Sequence, residues 1–149
     1  MHLTGSVTST QTGRTYRVPD EGSCGCNNLI YLVTCKKCNL QYVGETKQTI
    51  KERFYDHFYK VKHVADPQSV PPSLKDKEPT PLGKHFGTRP HTVDDIQIQI
   101  IEFIKRPPHL TDTTKFRRRR ELHWMYQLKT VDPQGINSME NVREALACT

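Results

Sequence analysis

The sequence predicts a small α+β domain in which a mainly antiparallel, three-stranded sheet is flanked by helices. Three observations carry that expectation: two short apolar runs around a polar turn, two stretches with apolar residues at helical spacing, and an isoleucine alternation between them. The first run, Leu29 to Thr34, is rich in β-branched and aromatic residues and reads as a strand. Cys35-Lys36-Lys37-Cys38-Asn39 is the turn, Gln41-Tyr42-Val43 returns as the second strand, and Gly44 ends the hairpin. Thr49 and Glu52 form a capping-box pair that opens a helix, along which Ile50, Phe54, Phe58 and Val61 recur. Ile96, Ile98 and Ile100 alternate with glutamines and are followed by Ile101, Phe103 and Ile104, a strand buried on at least one face and stopped by Pro107-Pro108. Thr113 to Thr130 is the second helix, with Trp124, Met125 and Leu128 as its stripe. Pro133-Gln134-Gly135 breaks the chain, Ile136-Asn137 reads as a short strand, and Met139 to Leu146 as a last helix.

The 149 residues fit one domain. Residues 1–23 are rich in Ser, Thr and Gly and read as a flexible N-terminal tail, residues 24–145 as the folded domain, and 146–149 as a C-terminal tail. Residues 66–82 hold five prolines and no core pattern, so they read as a long loop. Lys and Arg number 22 against 16 Asp and Glu, a net charge of +6 that favours a polyanionic partner. No apolar run approaches the ~18 residues that span a bilayer, and the first residues lack the apolar segment of a secretion signal. The expectation is an intracellular protein without membrane contact.

Two positions on the helices point to chemistry. Arg53 and His57 are four residues apart and share a face that borders the apolar stripe. Glu121 is three before Trp124, four before Met125 and seven before Leu128, in register with the buried stripe. A carboxylate there costs free energy unless it is paired or holds a cation. One of the arginines Arg117 to Arg120 could pair with it. Tyr31 and Tyr42 come from the two hairpin strands and could equally be packing residues with hydroxyls at the rim. Together, two tyrosines, an arginine, a histidine and a carboxylate could orient water, stabilise phosphate charge and hold a divalent metal.

Leu29-Ile30-Tyr31, ten intervening residues, Tyr42-Val43-Gly44, then Arg53 with His57, Glu121 with Trp124, and Gly135-Ile136-Asn137 resemble a GIY-YIG nuclease domain over residues 24–145. Leu29 stands where the family name has Gly. The resemblance implies a metal-dependent DNA endonuclease. Glu121 would hold one catalytic Mg2+ (or Mn2+), Tyr31 or Tyr42 would orient or deprotonate the attacking water, and Arg53 would brace the phosphate charge. His57 would position the site or relay a proton, and Asn137 would line it. A tyrosine pKa near ~10 needs a nearby cation to lower it for this work.

The cysteines flanking the first strand, the segment Pro81-Leu82-Gly83-Lys84-His85-Phe86 with His91, and Arg120-Glu121-Leu122-His123-Trp124 resemble more narrowly the endonuclease domain of Penelope-like retroelements. That resemblance implies nicking that leaves a 3′-hydroxyl for target-primed reverse transcription, and as partners DNA, a reverse transcriptase domain and its template RNA. It also implies work in the nucleus, for which the Arg117 to Arg120 run could serve as a localisation signal.

Four of the five cysteines fall in one window, Cys24, Cys26, Cys35 and Cys38. An odd count without a secretion signal argues against a disulfide framework, and Cys35-x-x-Cys38 on a turn has metal-ligand spacing. Cys26 and Cys35 are nine residues apart across a strand. At ~3.3 Å per residue that separates them by ~25–30 Å, too far for one tetrahedral site. His85 and His91 are therefore favoured as the other ligands of one structural Zn2+, as the resemblance also implies. Four free thiols and two surface histidines are the plain alternative, and Cys24 and Cys26 stay unassigned.

Lys36, Lys37, Lys47, Lys51, Arg117, Arg118 and Arg120 are the expected DNA contacts, although successive helical arginines cannot all face one way. The rival reading is a non-catalytic, zinc-stabilised nucleic-acid-binding module, or one that docks on a reverse transcriptase through residues 66–82. The binding module does not explain a carboxylate on an apolar stripe.

Overall fold

The computed structural model describes residues 5–19, 25–69, 79–105, 108–109 and 111–147. Gly5–Thr8 (β1) and Thr15–Val18 (β2) form an antiparallel hairpin. Leu29–Cys35 (β3) and Gln41–Thr46 (β4) form a second, and Ile50–Ala65 (α1) follows. Pro81–Gly87 (α2), Ile96–Phe103 (β5), Thr114–Leu128 (α3) and Met139–Ala147 (α4) complete the chain. The main sheet has the order β4-β3-β5 and is antiparallel throughout. This is the expected fold class. No described helix is long and apolar enough to cross a membrane.

Central strand β3 is buried on both faces, so its alternation divides the core in two. Ile30 and Leu32 pack with Val43, Ile101, Trp124, Met125 and Leu128 on the α3 side. Leu29, Tyr31, Val33 and Cys35 pack with Tyr42, Val61, Leu82 and Phe86 on the side of α1 and α2. The two-residue period therefore aims Tyr31 toward α1. The doubled apolar pair Ile100-Ile101 has a structural cause. The β3–β5 register shifts between Ile30 and Tyr31, so the alternation in β5 changes phase at a bulge and Ile101 reaches the α3-side core.

Helix α1 begins at the expected capping box: Thr49 Oγ1 accepts from the Glu52 N–H, and the Glu52 carboxylate accepts from the Thr49 N–H. Its buried stripe differs from the expected one. Phe54, His57 and Val61 are buried, whereas Phe58 is 40% exposed. Strand β4 runs through Gly44 to Thr46, and Ile136-Asn137 contributes only a single parallel bridge, between Val131 and Asn137.

The segment expected to be a flexible tail is in part folded. Val7 and Val18 enter the α3-side core. Ser9 Oγ donates to the carbonyl of Leu128, one of the last-turn carbonyls of α3 that lacks a helical partner, at 2.7 Å. The Gln41 side chain binds Thr8 O and Thr10 N at 3.1 and 3.0 Å. Each strand of the hairpin has only four residues, too few for an alternation to show in the sequence. The proline-rich loop is also shorter than expected. Pro67–Ser69 is a 3-10 turn, and Thr80 caps α2, whose first residue is Pro81. Residues 70–78, like Cys24 and Cys148, lie outside the described residues.

Candidate active site

An open cleft of about 1100 Å³ lies along the edge strand β4. Tyr42 and Glu45 of β4 line it, with Arg53, His57 and Lys60 of α1 and Arg118 and Glu121 of α3. The turn after α3 and the start of α4 close one end, and α2 with residues 88–91 closes the other.

Tyr31 is fully buried behind this cleft. Its hydroxyl lies 2.6 Å from His57 Nε2 and accepts from Arg53 Nε at 3.3 Å. With Arg53 donating to the hydroxyl, the Tyr31 proton is free to point at His57 Nε2; in that arrangement His57 carries its proton on Nδ1, a buried nitrogen with no hydrogen-bond partner. Burial, with Arg53 and Lys60 nearby, pushes the His57 pKa down to about 3, so the ring is neutral. The Tyr42 ring centroid is 6.4 Å from that of Tyr31 and 6.3 Å from that of His57. Burial pushes Tyr31 up to about 12 and Tyr42 well above its ordinary value, so neither hydroxyl ionises alone near neutrality.

Gly44 makes room for this arrangement. It stands directly opposite Tyr31 in the hairpin, and a Cβ there would lie 2.4 Å from the Tyr31 Cζ and hydroxyl oxygen. Tyr31 is fully buried, so its ring can make way only by displacing the side chains packed around it. We expect Gly44→Ala to lower stability by ~1–3 kcal/mol through this overlap and to displace the tyrosine hydroxyl. A melting curve that matches the parent would show that the ring can shift.

Glu121 is 4% exposed, and its Oε2 accepts no hydrogen bond. Arg118 Nη1 stands 3.5 Å away, within ion-pair range, and also faces Glu144 at 3.9 Å. Burial first, then the neighbouring Glu45, pushes the Glu121 pKa up to about 8. A buried carboxylate with an oxygen that lacks a hydrogen bond, on a residue that lines the cleft beside Glu45 and Glu144, fits a divalent cation, so Glu121 can hold one.

The other candidate metal ligands also converge. One ligand atom from each of Cys35, Cys38, His85 and His91 lies within 4.8 Å of the other three. A tetrahedral Zn2+ with ~2.3 Å bonds to sulfur and ~2.0–2.1 Å to nitrogen has ligand edges of ~3.3–3.8 Å. Cys38 Sγ and His85 Nε2 are already 3.5 Å apart. Burial and the adjacent His91 push His85 down, keeping its lone pair available. Among the described residues Cys26 is not part of this group.

The expected DNA contacts fare differently. Arg117 is buried, with Nε 2.6 Å from Glu45 Oε2 and Nη1 2.8 Å from Asn28 Oδ1. Arg120 grips Glu102 of β5 with Nε and Nη2, each 2.7 Å from a carboxylate oxygen. Both are held in ion pairs with carboxylates on other elements, Arg117 with its side chain buried and Arg120 with its side chain still 39% exposed. Arg118 faces the cleft. Lys36, Lys37 and Lys47 are exposed, as is Lys51, and none of the four lines the cleft.

Asn137 also departs from its expected place. It is fully buried and does not line the cleft. Its Oδ1 accepts from Val43 N and Thr130 Oγ1 at 2.8 and 2.7 Å, while Nδ2 donates to Val43 O at 2.9 Å. The carboxamide thus pairs with the open edge of β4 as a neighbouring strand would, and fastens the loop after α3 to the sheet. Lys60, Lys84 and Arg89 line the cleft and were missed, because isolated cations carry no local pattern.

No curated protein and no solved structure matches the chain. The family model of the GIY-YIG catalytic domain matches residues 27–137, which hold both tyrosines, Arg53, His57 and Glu121. With most of its length matched, the chain belongs to the GIY-YIG family and is a nuclease domain.

Proposed function

We propose that this domain is a metal-dependent DNA endonuclease that nicks one strand and leaves a 3′-hydroxyl. The observation that carries the reading is the orphaned Glu121 oxygen in a cleft shared with Arg53, His57 and Tyr42. A non-catalytic binding module has no use for a buried, unsatisfied carboxylate. Mg2+ or Mn2+ at Glu121 supplies Lewis-acid activation of the scissile phosphate.

The chain's own groups do the rest. Arg53, at the cleft surface, braces the negative charge that builds on the phosphate. Tyr31, buried behind the cleft in the free protein, would take the water proton only once bound substrate opens the cleft onto its hydroxyl, passing its own proton to His57 Nε2 along the existing 2.6 Å contact. His57 becomes a better acceptor once substrate phosphate neutralises Arg53, one of the cations that holds its pKa down. Tyr42, which opens on the cleft, holds the water in line. Cys35, Cys38, His85 and His91 bind one structural Zn2+, which ties the β3–β4 turn to the segment after α2.

The narrower sequence resemblance supports placing the domain in a Penelope-like retroelement, where the nick primes reverse transcription in the nucleus. A reverse transcriptase domain and template RNA are then its partners. Nicking of supercoiled plasmid with Mg2+, compared with a magnesium-free control, tests the activity. Absence of any metal-dependent nicking overturns it. We expect Tyr31→Phe to slow nicking by ~10²–10⁴-fold and Tyr42→Phe by about tenfold, with DNA binding retained in both. Parent rates in both variants would assign the tyrosines to packing.

A further inference from the structure

The two walls of the cleft carry opposite charge. Glu121, Glu140, Glu144 and Asp132 lie on the side of α3 and α4, where Arg118 is the lining cation and is paired with Glu45, Glu121 and Glu144. Arg53, Lys60, Lys84 and Arg89 lie on the side of α1 and α2. Lys84 and Arg89 differ from the arginines of α3. Both are exposed, and among the described residues neither forms an ion pair with a carboxylate.

Their position is set by the Cys/His cluster. Lys84 directly precedes His85, and Arg89 is two residues before His91, so each cation is close in sequence to a cluster histidine. Those histidines line the same cleft as Glu121. Helix α2 is in turn packed closely on α1. Leu82 and Phe86 are buried, and a Cβ on Gly87 would lie 2.6 Å from the Val64 Cβ. Metal cluster and close packing together hold a basic surface opposite the acidic wall.

We propose that Lys84 and Arg89 form a phosphate-binding wall for the nucleic-acid backbone, which makes the zinc-clustered segment part of the substrate site rather than a remote staple. The proposal rests on the nuclease reading for its choice of ligand. Charge complementarity supports it: a polyanion lying in the cleft would meet exposed, uncommitted cations on one side and the cation-binding carboxylate on the other. Neither residue is needed for the chemistry at Glu121, Tyr31 or Arg53.

The test is binding of a fluorescent duplex oligonucleotide, by anisotropy, over a salt series without added magnesium. The parent is compared with Lys84→Ala/Arg89→Ala and with Lys36→Ala/Lys37→Ala, which removes the same charge outside the cleft. Each lost phosphate contact lowers the slope of log affinity against log salt by ~0.9, so the Lys84/Arg89 variant is expected to lose about 2 from the slope. Its affinity should fall about tenfold or more, with zinc content and melting temperature unchanged, and the Lys36/Lys37 variant should stay close to the parent. With magnesium added, the half-saturating DNA concentration should rise while the single-turnover rate at saturation stays the same. An unchanged slope in the Lys84/Arg89 variant, or an equal loss in the Lys36/Lys37 variant, overturns the wall. A parent protein that binds DNA with the expected slope difference but never nicks would keep the wall and sink the nuclease reading.

Discussion

Glu121→Gln is expected to slow nicking by about 10³-fold or more and to leave the protein at least as stable as the parent. The loss of rate follows from removing the buried carboxylate that would hold the activating cation. The unchanged stability follows from the same burial. The pocket pushes Glu121 up to about 8, so it already favours an uncharged side chain. The nearest cation, Arg118, stands at 3.5 Å and leaves Oε2 without a hydrogen bond. Gln keeps the shape and removes a poorly compensated charge, a change that is neutral to stabilising at buried sites. Single-turnover nicking with Mg2+ and thermal melting without it measure the two parts separately. Parent-like nicking would show that Glu121 is not the metal ligand. A large drop in melting temperature would assign it to a structural pair with Arg118.

The second large effect concerns the zinc-ligand set. Cys35→Ser, Cys38→Ser, His85→Ala and His91→Ala should each release one Zn2+ per chain and lower the melting temperature by ~10 °C or more. A structural zinc contributes folding free energy directly, and in a domain of this size each kcal/mol is worth ~2–4 °C or slightly more. This cluster joins the end of β3 to α2, elements far apart in sequence. Cys26→Ser should keep its zinc, because Cys26 is at the opposite end of β3 from Cys35. Elemental analysis of the purified variants decides it. Zinc retained in both histidine variants but lost on substituting Cys24 would overturn the assignment in favour of a four-cysteine site.

Elements with dense local signals were legible in advance. The hairpin around Cys35 and Cys38, the capping box at Thr49, the isoleucine alternation and the Trp124 stripe all appear in the structure near their expected bounds. The β1–β2 hairpin and α2 were not legible. Each strand of that hairpin offers only one fully buried valine among polar neighbours, and α2 is seven residues long. Helices and strands this short are held by what they pack on rather than by their own periodicity. At Phe58 and His57 the helical phase was correct to within one residue, yet the buried place went to the histidine. Tyr31 and Tyr42 surround that position, and a hydrogen bond to Tyr31 satisfies the ring.

The sequence by itself determined the α+β class, the order of the candidate catalytic side chains, and the chemistry they would supply, because spacing along a strand or helix dictates which residues share a face. It also separated Cys26 from Cys35, since an extended strand has a fixed rise. Only the tertiary structure decided which charges remain free. Arg117 and Arg120 are consumed by Glu45 and Glu102, Asn137 by the open edge of β4, and Lys84 and Arg89 are left facing the cleft. The physical reason is that a charge is neutralised by whatever carboxylate the fold brings within a few ångströms, and that partner lies on another element, 72 residues away for Arg117 and 18 for Arg120.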